Sequence, residues 1–127
     1  MNFLDNVINL IISLGFATQK DVDIFKDYSP KEPHECMCVY EYEGSAPSRW
    51  APVSVRSVQV VCRSKKRNTA KDRSWKLYQE LLKFHESIIQ IGGTDCLLHL
   101  KNTPTLIDID SMGRALVAFN LAITIKL

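Results

Sequence analysis

The sequence has little of several features that mark specialised classes of protein. It contains 5 glycines and 5 prolines and no low-complexity tract, which excludes fibrous, collagen-like and disordered chains. Its longest apolar stretches, near 7–12 and 115–125, are interrupted by polar residues and fall short of the ~20 residues that cross a bilayer, so no membrane span or membrane partner is expected. The start of the chain lacks the basic and apolar pattern of a secretory signal, which predicts a protein retained in the cytoplasm.

The composition that is present predicts one folded domain over residues 1–127. Hydrophobic residues make up 46% of the chain and charged residues 24%, and a chain of this length buries roughly two thirds of its unfolded surface. In a reducing compartment, cysteines in strand-like segments are expected to be buried free thiols. The four are Cys36, Cys38, Cys62 and Cys96.

A zinc site is the alternative for these cysteines, since His34 lies close to Cys36 and Cys38, and His99 close to Cys96. Zinc knuckles present two ligands on a turn, whereas residues two apart on a strand only point to the same face. We therefore predict no metal. No nucleophile elbow, phosphate-binding glycine loop or metalloprotease helix is present either, so we predict neither a catalytic residue nor a cofactor and no enzyme activity.

The net charge of +2 conceals an uneven distribution along the chain. Residues 1–43 hold eight acids and three bases, whereas residues 63–73 hold six bases and one acid. This basic segment is compatible with a solvated loop, with phosphate contacts to nucleic acid, or with pairing to the acidic first third of a neighbouring copy in a ring. Its candidate contact residues are Arg63, Lys65, Lys66, Arg67, Lys71 and Arg73.

The spacing of apolar residues predicts two helices. The first runs from Phe3 to Leu14, with Asn2 as its N-cap and Gly15 at its end. The second covers 70–89, capped by Thr69 and ended by two glycines at 92–93. His85 would then lie on the apolar stripe of this helix, as a core or interface histidine. That stripe is made of Trp75, Tyr78, Leu82 and His85.

Alternating or continuous apolar segments predict the strands. The strongest signal is at 117–127, where every second residue is large and apolar. The result is an α+β domain in which two helices pack on one face of a mainly antiparallel or mixed sheet of about four to six strands. The predicted strands are 21–24, 36–42, 53–63, 95–100, 106–109 and 117–127.

Several short segments, taken in order, carry a resemblance to a known family. After the amphipathic first helix come the aromatic-glycine-proline turn Tyr40-Glu41-Tyr42-Glu43-Gly44-Ser45-Ala46-Pro47, the strand Ser57-Val58-Gln59-Val60-Val61-Cys62-Arg63, the helix with Ala70, Trp75 and Tyr78, and Pro104-Thr105-Leu106-Ile107-Asp108-Ile109-Asp110-Ser111-Met112-Gly113-Arg114 before Phe119-Asn120. Together they resemble the phage minor capsid proteins of long-tailed phages and prophages, whose relatives are tail terminators and tail-to-head joining proteins. The cysteines are a departure, since the family does not require them.

The resemblance implies a structural protein that forms a ring, usually a hexamer, at the head-proximal end of the tail. Such a ring stops growth of the tail tube and presents a surface to the head-completion protein. The implied partners are further copies of the chain, the tail tube protein and the head-completion protein, with transient DNA contact in the lumen. The protein would assemble in the host bacterial cytoplasm and end in the virion. A small nucleic-acid-binding module that uses residues 63–73 is the alternative.

Two further residues are candidates for interface contacts, and three are assigned to turns. Trp50 is an aromatic residue in the loop that follows the aromatic-glycine-proline turn, and Asn120 lies on the polar side of the last strand. Gly44, Pro47 and Gly113 are expected to define turns through their backbone angles. Lys65, Lys66 and Arg67 are the candidates to face the lumen or the next ring.

Overall fold

A computed structural model describes residues 2–45 and 53–126. For residues 43–45 and 126 it describes only the backbone. Its two helices and seven strands form an α+β fold, as predicted. In chain order they are α1 (Phe3–Ser13), β1 (Ile24–Lys26), β2 (Cys36–Ser45), β3 (Val53–Ser64), α2 (Arg67–Leu82), β4 (Ser87–Ile91), β5 (Thr94–Leu100), β6 (Thr105–Ile109) and β7 (Ala115–Lys126).

All seven strands belong to one mixed sheet with the order β1-β2-β3-β7-β5-β4. The β1–β2 pair is parallel and the other pairs are antiparallel. One edge of β7 pairs with β3 along its whole length, while the other is divided between β6 at 115–118 and β5 at 121–125. The sheet has more strands than the four to six expected, because residues that the apolar spacing places in the second helix form β4.

Both helices pack on the same face of the sheet, as predicted. The large side chains of β7 that point to this face, Phe119, Leu121 and Ile123, are buried, in agreement with the alternation in the sequence. In the part described, no helix is long and apolar enough to cross a membrane. The helix residues of this main core are Leu4, Val7, Ile8 and Ile11 from α1 and Leu77 and Leu81 from α2.

The prediction for α1 is confirmed at both ends. Asn2 is the N-cap, and its side chain accepts a hydrogen bond from the backbone N–H of Asp5, whose carboxylate accepts one from the N–H of Asn2 in return. Gly15 follows the helix with a φ of +88°. This left-handed conformation is one that glycine adopts without steric cost, so the helix ends where the sequence indicated.

The prediction for α2 is wrong at both ends. The helix begins at Arg67 with Lys66 as N-cap, and it is the Ser64 hydroxyl that accepts the Lys66 N–H, not a cap at Thr69. It ends at Leu82, so His85 lies in the following turn. The next residues form β4, because Gly92 and Gly93, both with positive φ, make a two-residue hairpin turn into β5.

The other elements need smaller corrections. The first strand begins at Ile24 and not at 21, because the Asp23 carboxylate accepts the Thr18 and Gln19 N–H groups and holds the preceding segment in a turn. Gly44 lies within β2, where the register shifts between Tyr42 and Ser45, and does not end the strand. Gly113 has a φ of +75° in the turn before β7, as expected. Pro47 and Trp50 lie outside the described residues.

Candidate interaction surface

The face of the sheet away from the helices is only partly covered, and we call it the open face. Near one end, the loop of residues 27–35 lies over β2 and β3. Beneath it is a small second cluster of buried residues, namely Phe25, Cys36, Cys38, Val61 and Ala118. Elsewhere on this face, side chains of β2, β3, β5 and β7 reach the surface. A surface left open on one side of a sheet is available for contacts with other molecules.

Arg63, at the end of β3, holds this loop to the sheet. Its side chain is 1% exposed, and Nη1 donates to the Pro30 carbonyl oxygen at 2.6 Å while Nη2 donates to that of Pro33 at 2.5 Å. Further bonds reach the Ser29 hydroxyl at 3.1 Å and the His34 carbonyl oxygen at 3.4 Å. Arg63 is therefore not presented at the surface with the other candidate bases.

Arg114 holds the same loop from the start of β7. Its Nη1 donates to the Lys31 carbonyl oxygen at 2.7 Å and lies 3.5 Å from Nδ1 of His34, while Nε donates to Asp110 Oδ2 at 2.7 Å. Arg63 and Arg114, which both belong to the segments that carry the family resemblance, thus bind the same loop. The only sequence signal for this pairing is that each arginine stands at a strand end, and these two ends are neighbours because Ser64 pairs with Ala115.

Four of the six candidate bases lie together at the start of α2, and we call them the basic end. Lys65, Lys66, Arg67 and Lys71 are exposed, and the ion pairs of the described residues include none of them. The first turn of α2 carries no acidic residue, so the positive end of the helix dipole adds to their charge. Arg73 is half-buried and reaches the Phe16 carbonyl oxygen at 3.5 Å.

Two carboxylates of the acidic first third, those of Asp5 and Glu41, are paired within the chain. Asp5 binds Lys20 at 2.7 Å and Lys26 at 3.1 Å, and the hydrogen bond from Lys20 lowers the pKa of Asp5 to about 2. Glu41 receives a two-pronged contact from Arg56, through Nε at 2.5 Å and Nη2 at 2.8 Å. Asp5 and Glu41 are therefore engaged within the chain, whereas Asp21, Asp27, Glu32 and Glu35 are exposed.

Asn120 lies midway along β7, half-buried and opposite Gln59 of β3. Its backbone N–H donates to Asn102 Oδ1 at 2.6 Å, and its carbonyl oxygen accepts from Lys101 N–H, so the turn after β5 is fastened to β7 here. Exposed apolar residues lie on the same sheet: Ile88, 72% exposed, pairs with Leu97. Thus the open face combines polar and apolar side chains.

A group of three residues at the start of β4 has the composition of a metal site. Oε1 of Glu86 lies 3.7 Å from Nε2 of His85 and 3.7 Å from Nδ1 of His99. However, Nδ1 of His85 accepts the Leu100 N–H at 3.0 Å, so in the neutral ring Nε2 carries the proton and has no lone pair for a metal. The group therefore offers two ligands at most. The four cysteines are free and buried, as predicted.

Comparison with known proteins agrees with the resemblance drawn from the motifs. A family model described as bacteriophage tail terminator protein matches residues 10–127. The match begins within α1 and includes every strand of the sheet, the loop held by Arg63 and Arg114, and the basic end. No curated protein matches the chain significantly.

Proposed function

This chain belongs to the bacteriophage tail terminator family. We propose that it closes the head-proximal end of the tail as a ring, with the hexameric form that the family resemblance implies. The ring stops polymerisation of the tail tube and joins the tail to the head as a minor capsid component. The family match over residues 10–127 is the observation that carries this proposal. Membership itself supports a structural role in the phage tail and contacts with other tail and head proteins.

The surfaces of the chain support ring formation. A closed ring of identical subunits needs two different surfaces on each subunit, one for each neighbour. The open face lies away from the helices, and β6 has a free edge with Ile107 and Ile109 exposed. Asp5 and Glu41 are engaged within the chain, and we propose that neighbours meet mainly through β6 and the open face, including Asn120.

A structural role also fits the chemistry of the described residues. Within 2–45 and 53–126, no hydrogen bond links a serine, threonine or cysteine side chain to a histidine ring, which is the contact that activates a nucleophile. Of His85, Glu86 and His99, the side chain of His85 is the least exposed, and its Nδ1 accepts a hydrogen bond from a backbone N–H. We therefore propose assembly rather than catalysis.

The basic end is proposed to face the lumen through which DNA passes. Lys65, Lys66 and Arg67 are exposed and free of intrachain ion pairs in the part described, so their charge is available to phosphates. Reversing all three to glutamate should impair DNA passage, measured as infectivity of complemented virions. Lys76→Glu, an exposed charge further along α2, is the matched control. Unchanged ring assembly and unchanged DNA passage would remove this part of the proposal.

A phage that lacks the gene tests the function as a whole. Deletion should yield full heads without tails together with overlong tails, and a plasmid copy expressed in the host cytoplasm should restore joined virions that contain the protein. Electron microscopy of lysates gives the readout. Normal virions from the deletion strain would refute the proposal, and native mass spectrometry of the ring would determine its stoichiometry.

A further inference from the structure

A cavity of about 230 Å³ opens on the covered part of the open face, between the loop of residues 27–35 and β6. Cys38, Tyr40 and Gln59 line its floor together with Arg63, and Ile107 of β6 lines its side. A cavity of this size admits a small molecule. Cys38 is therefore buried among protein atoms and yet borders a space that opens to solvent.

Cys36 and Cys38 point to this same face of β2, and their Sγ atoms are 4.0 Å apart. That distance allows a hydrogen bond in which one thiol donates to the other sulfur. Cys36 also lies directly opposite Arg63 in the β2–β3 pairing. A sulfur donor and a guanidinium thus converge on one side of the sheet.

The guanidinium of Arg63 is a buried charge whose hydrogen bonds in the described chain all go to neutral oxygens. A buried charge is costly unless an opposite charge lies near it. Asp110 supplies this opposite charge for Arg114, whereas the ion pairs of the described residues include none for Arg63. A thiolate on Cys38 would supply the missing negative charge.

The acidity of the four thiols follows the same pattern. The hydrogen bond from Cys36, with help from the Arg63 charge, lowers the pKa of Cys38 to about 7, and the pKa of Cys36 is raised because it retains the shared proton. Burial raises the pKa of Cys62 to about 11 and also raises that of Cys96. Cys62 lies in the main core on the opposite face of the sheet.

We propose that Cys38 is a reactive thiolate and a covalent modification site for small electrophiles that enter this cavity. In the reaction with a haloacetamide, the Cys38 sulfur forms a bond to the methylene carbon, the carbon–halogen bond breaks, and the halide leaves with the bonding electrons. The Cys38 thiol loses its proton to solvent before this step, so the attacking group is the thiolate and no further reactant is needed. Cys36 is the positioning residue that holds the negative charge on Cys38 through its S–H donor.

Alkylation of the folded full-length chain with iodoacetamide tests this site. At pH 7, peptide mass spectrometry should locate the adduct on Cys38, formed at least about tenfold faster than on Cys62 or Cys96. The rate should rise with pH and reach half its plateau near the lowered pKa of Cys38. Equal rates at Cys38 and Cys62, or modification of Cys38 only in denaturant, would overturn the proposal, because global unfolding exposes both thiols alike.

Two variants of the neighbouring cysteine separate the positioning role from simple exposure. Cys36→Ser keeps a hydrogen-bond donor and should retain the low midpoint of the rate profile, whereas Cys36→Ala removes the donor and should move the midpoint to higher pH. Cys62→Ala is the control on the other face and should leave the Cys38 profile unchanged. If Cys36→Ser and Cys36→Ala gave the same profile as the unmodified chain, the assigned role of Cys36 would be wrong.

Discussion

The two faces of the sheet are stabilised in different ways. The face beneath the helices is a continuous apolar core in which side chains from α1, α2 and six strands, β1, β2, β3, β4, β5 and β7, meet. The open face is held at one end by two arginines that bind backbone carbonyls of the loop 27–35, and is exposed elsewhere. Apolar burial on the helix face therefore contributes most to the folding free energy, while the exposed part of the open face is available for contacts.

Truncation on the helix face should have the largest effect. Phe119 is fully buried in β7 and packs against Tyr78, so Phe119→Ala should cost about 3–5 kcal/mol in the free energy of unfolding. Asn120→Ala, next in the strand but on the open face, should change it by less than ~0.5 kcal/mol, and urea unfolding measures both. Similar costs at the two positions would break the contrast between the faces.

Removal of the Arg63 guanidinium should have the next largest effect. Arg63→Met keeps much of the volume but leaves the carbonyl oxygens of Pro30 and Pro33 without their donors, at a cost of about 2–3 kcal/mol. Proteolysis should then cut the loop 27–35 faster. Arg67→Met, at the exposed basic end, is the control and should be near neutral. A loop as resistant to protease as before would show that Arg63 does not hold it.

The ion pairs of Asp5 make the stability of α1 dependent on pH. The pKa of Asp5 is about 2 in the folded chain, below its ordinary value of 3.8, so its contribution is present above pH 4 and is lost as pH falls through about 2. Asp5→Asn should therefore lower the urea midpoint at pH 7, and the difference from the unmodified chain should shrink between pH 4 and pH 2. A difference that does not change with pH would exclude the charge as its cause.

Reversal of charge at the basic end should have the smallest effect on the free energy of unfolding. Unlike the other changes, it should raise that free energy. Glutamate in place of Lys66 and Arg67 puts negative charge at the positive end of α2, which should stabilise the chain by about 0.3–1 kcal/mol. Infectivity should fall all the same if these bases serve contacts with other molecules. Thermal unfolding and plaque counts on the same variant separate the two effects, and a destabilised variant would invalidate the comparison.

The sequence predicted those elements whose pattern is local. The alternation in β7 and the apolar spacing and caps of α1 can be recognised without tertiary information, and both elements lie where they were expected. The end of α2 was missed because Ile89 continues the apolar stripe of the helix. Two consecutive glycines at 92–93 fit a helix end, and they equally fit the hairpin turn that the structure contains.

The candidate surface was only partly predictable for a different reason. Exposure of Lys65, Lys66, Arg67 and Lys71 agrees with their charge, but nothing local distinguishes them from the buried Arg63. Its partners lie about 30 residues earlier in the chain, and Lys31 is further still from Arg114. Likewise, the sequence does not show which acids of the first third are paired, because a partner such as Arg56 for Glu41 is brought close only by strand pairing.

The most direct test of the central claim uses the tail tube protein of the same phage. Tubes are polymerised with and without this chain, and their lengths and ends are measured by electron microscopy. If the chain terminates tails, tubes formed in its presence should be shorter and should carry a ring-shaped cap at one end. Tubes that grow to the same length with bare ends, at saturating concentrations of the chain, would contradict the account.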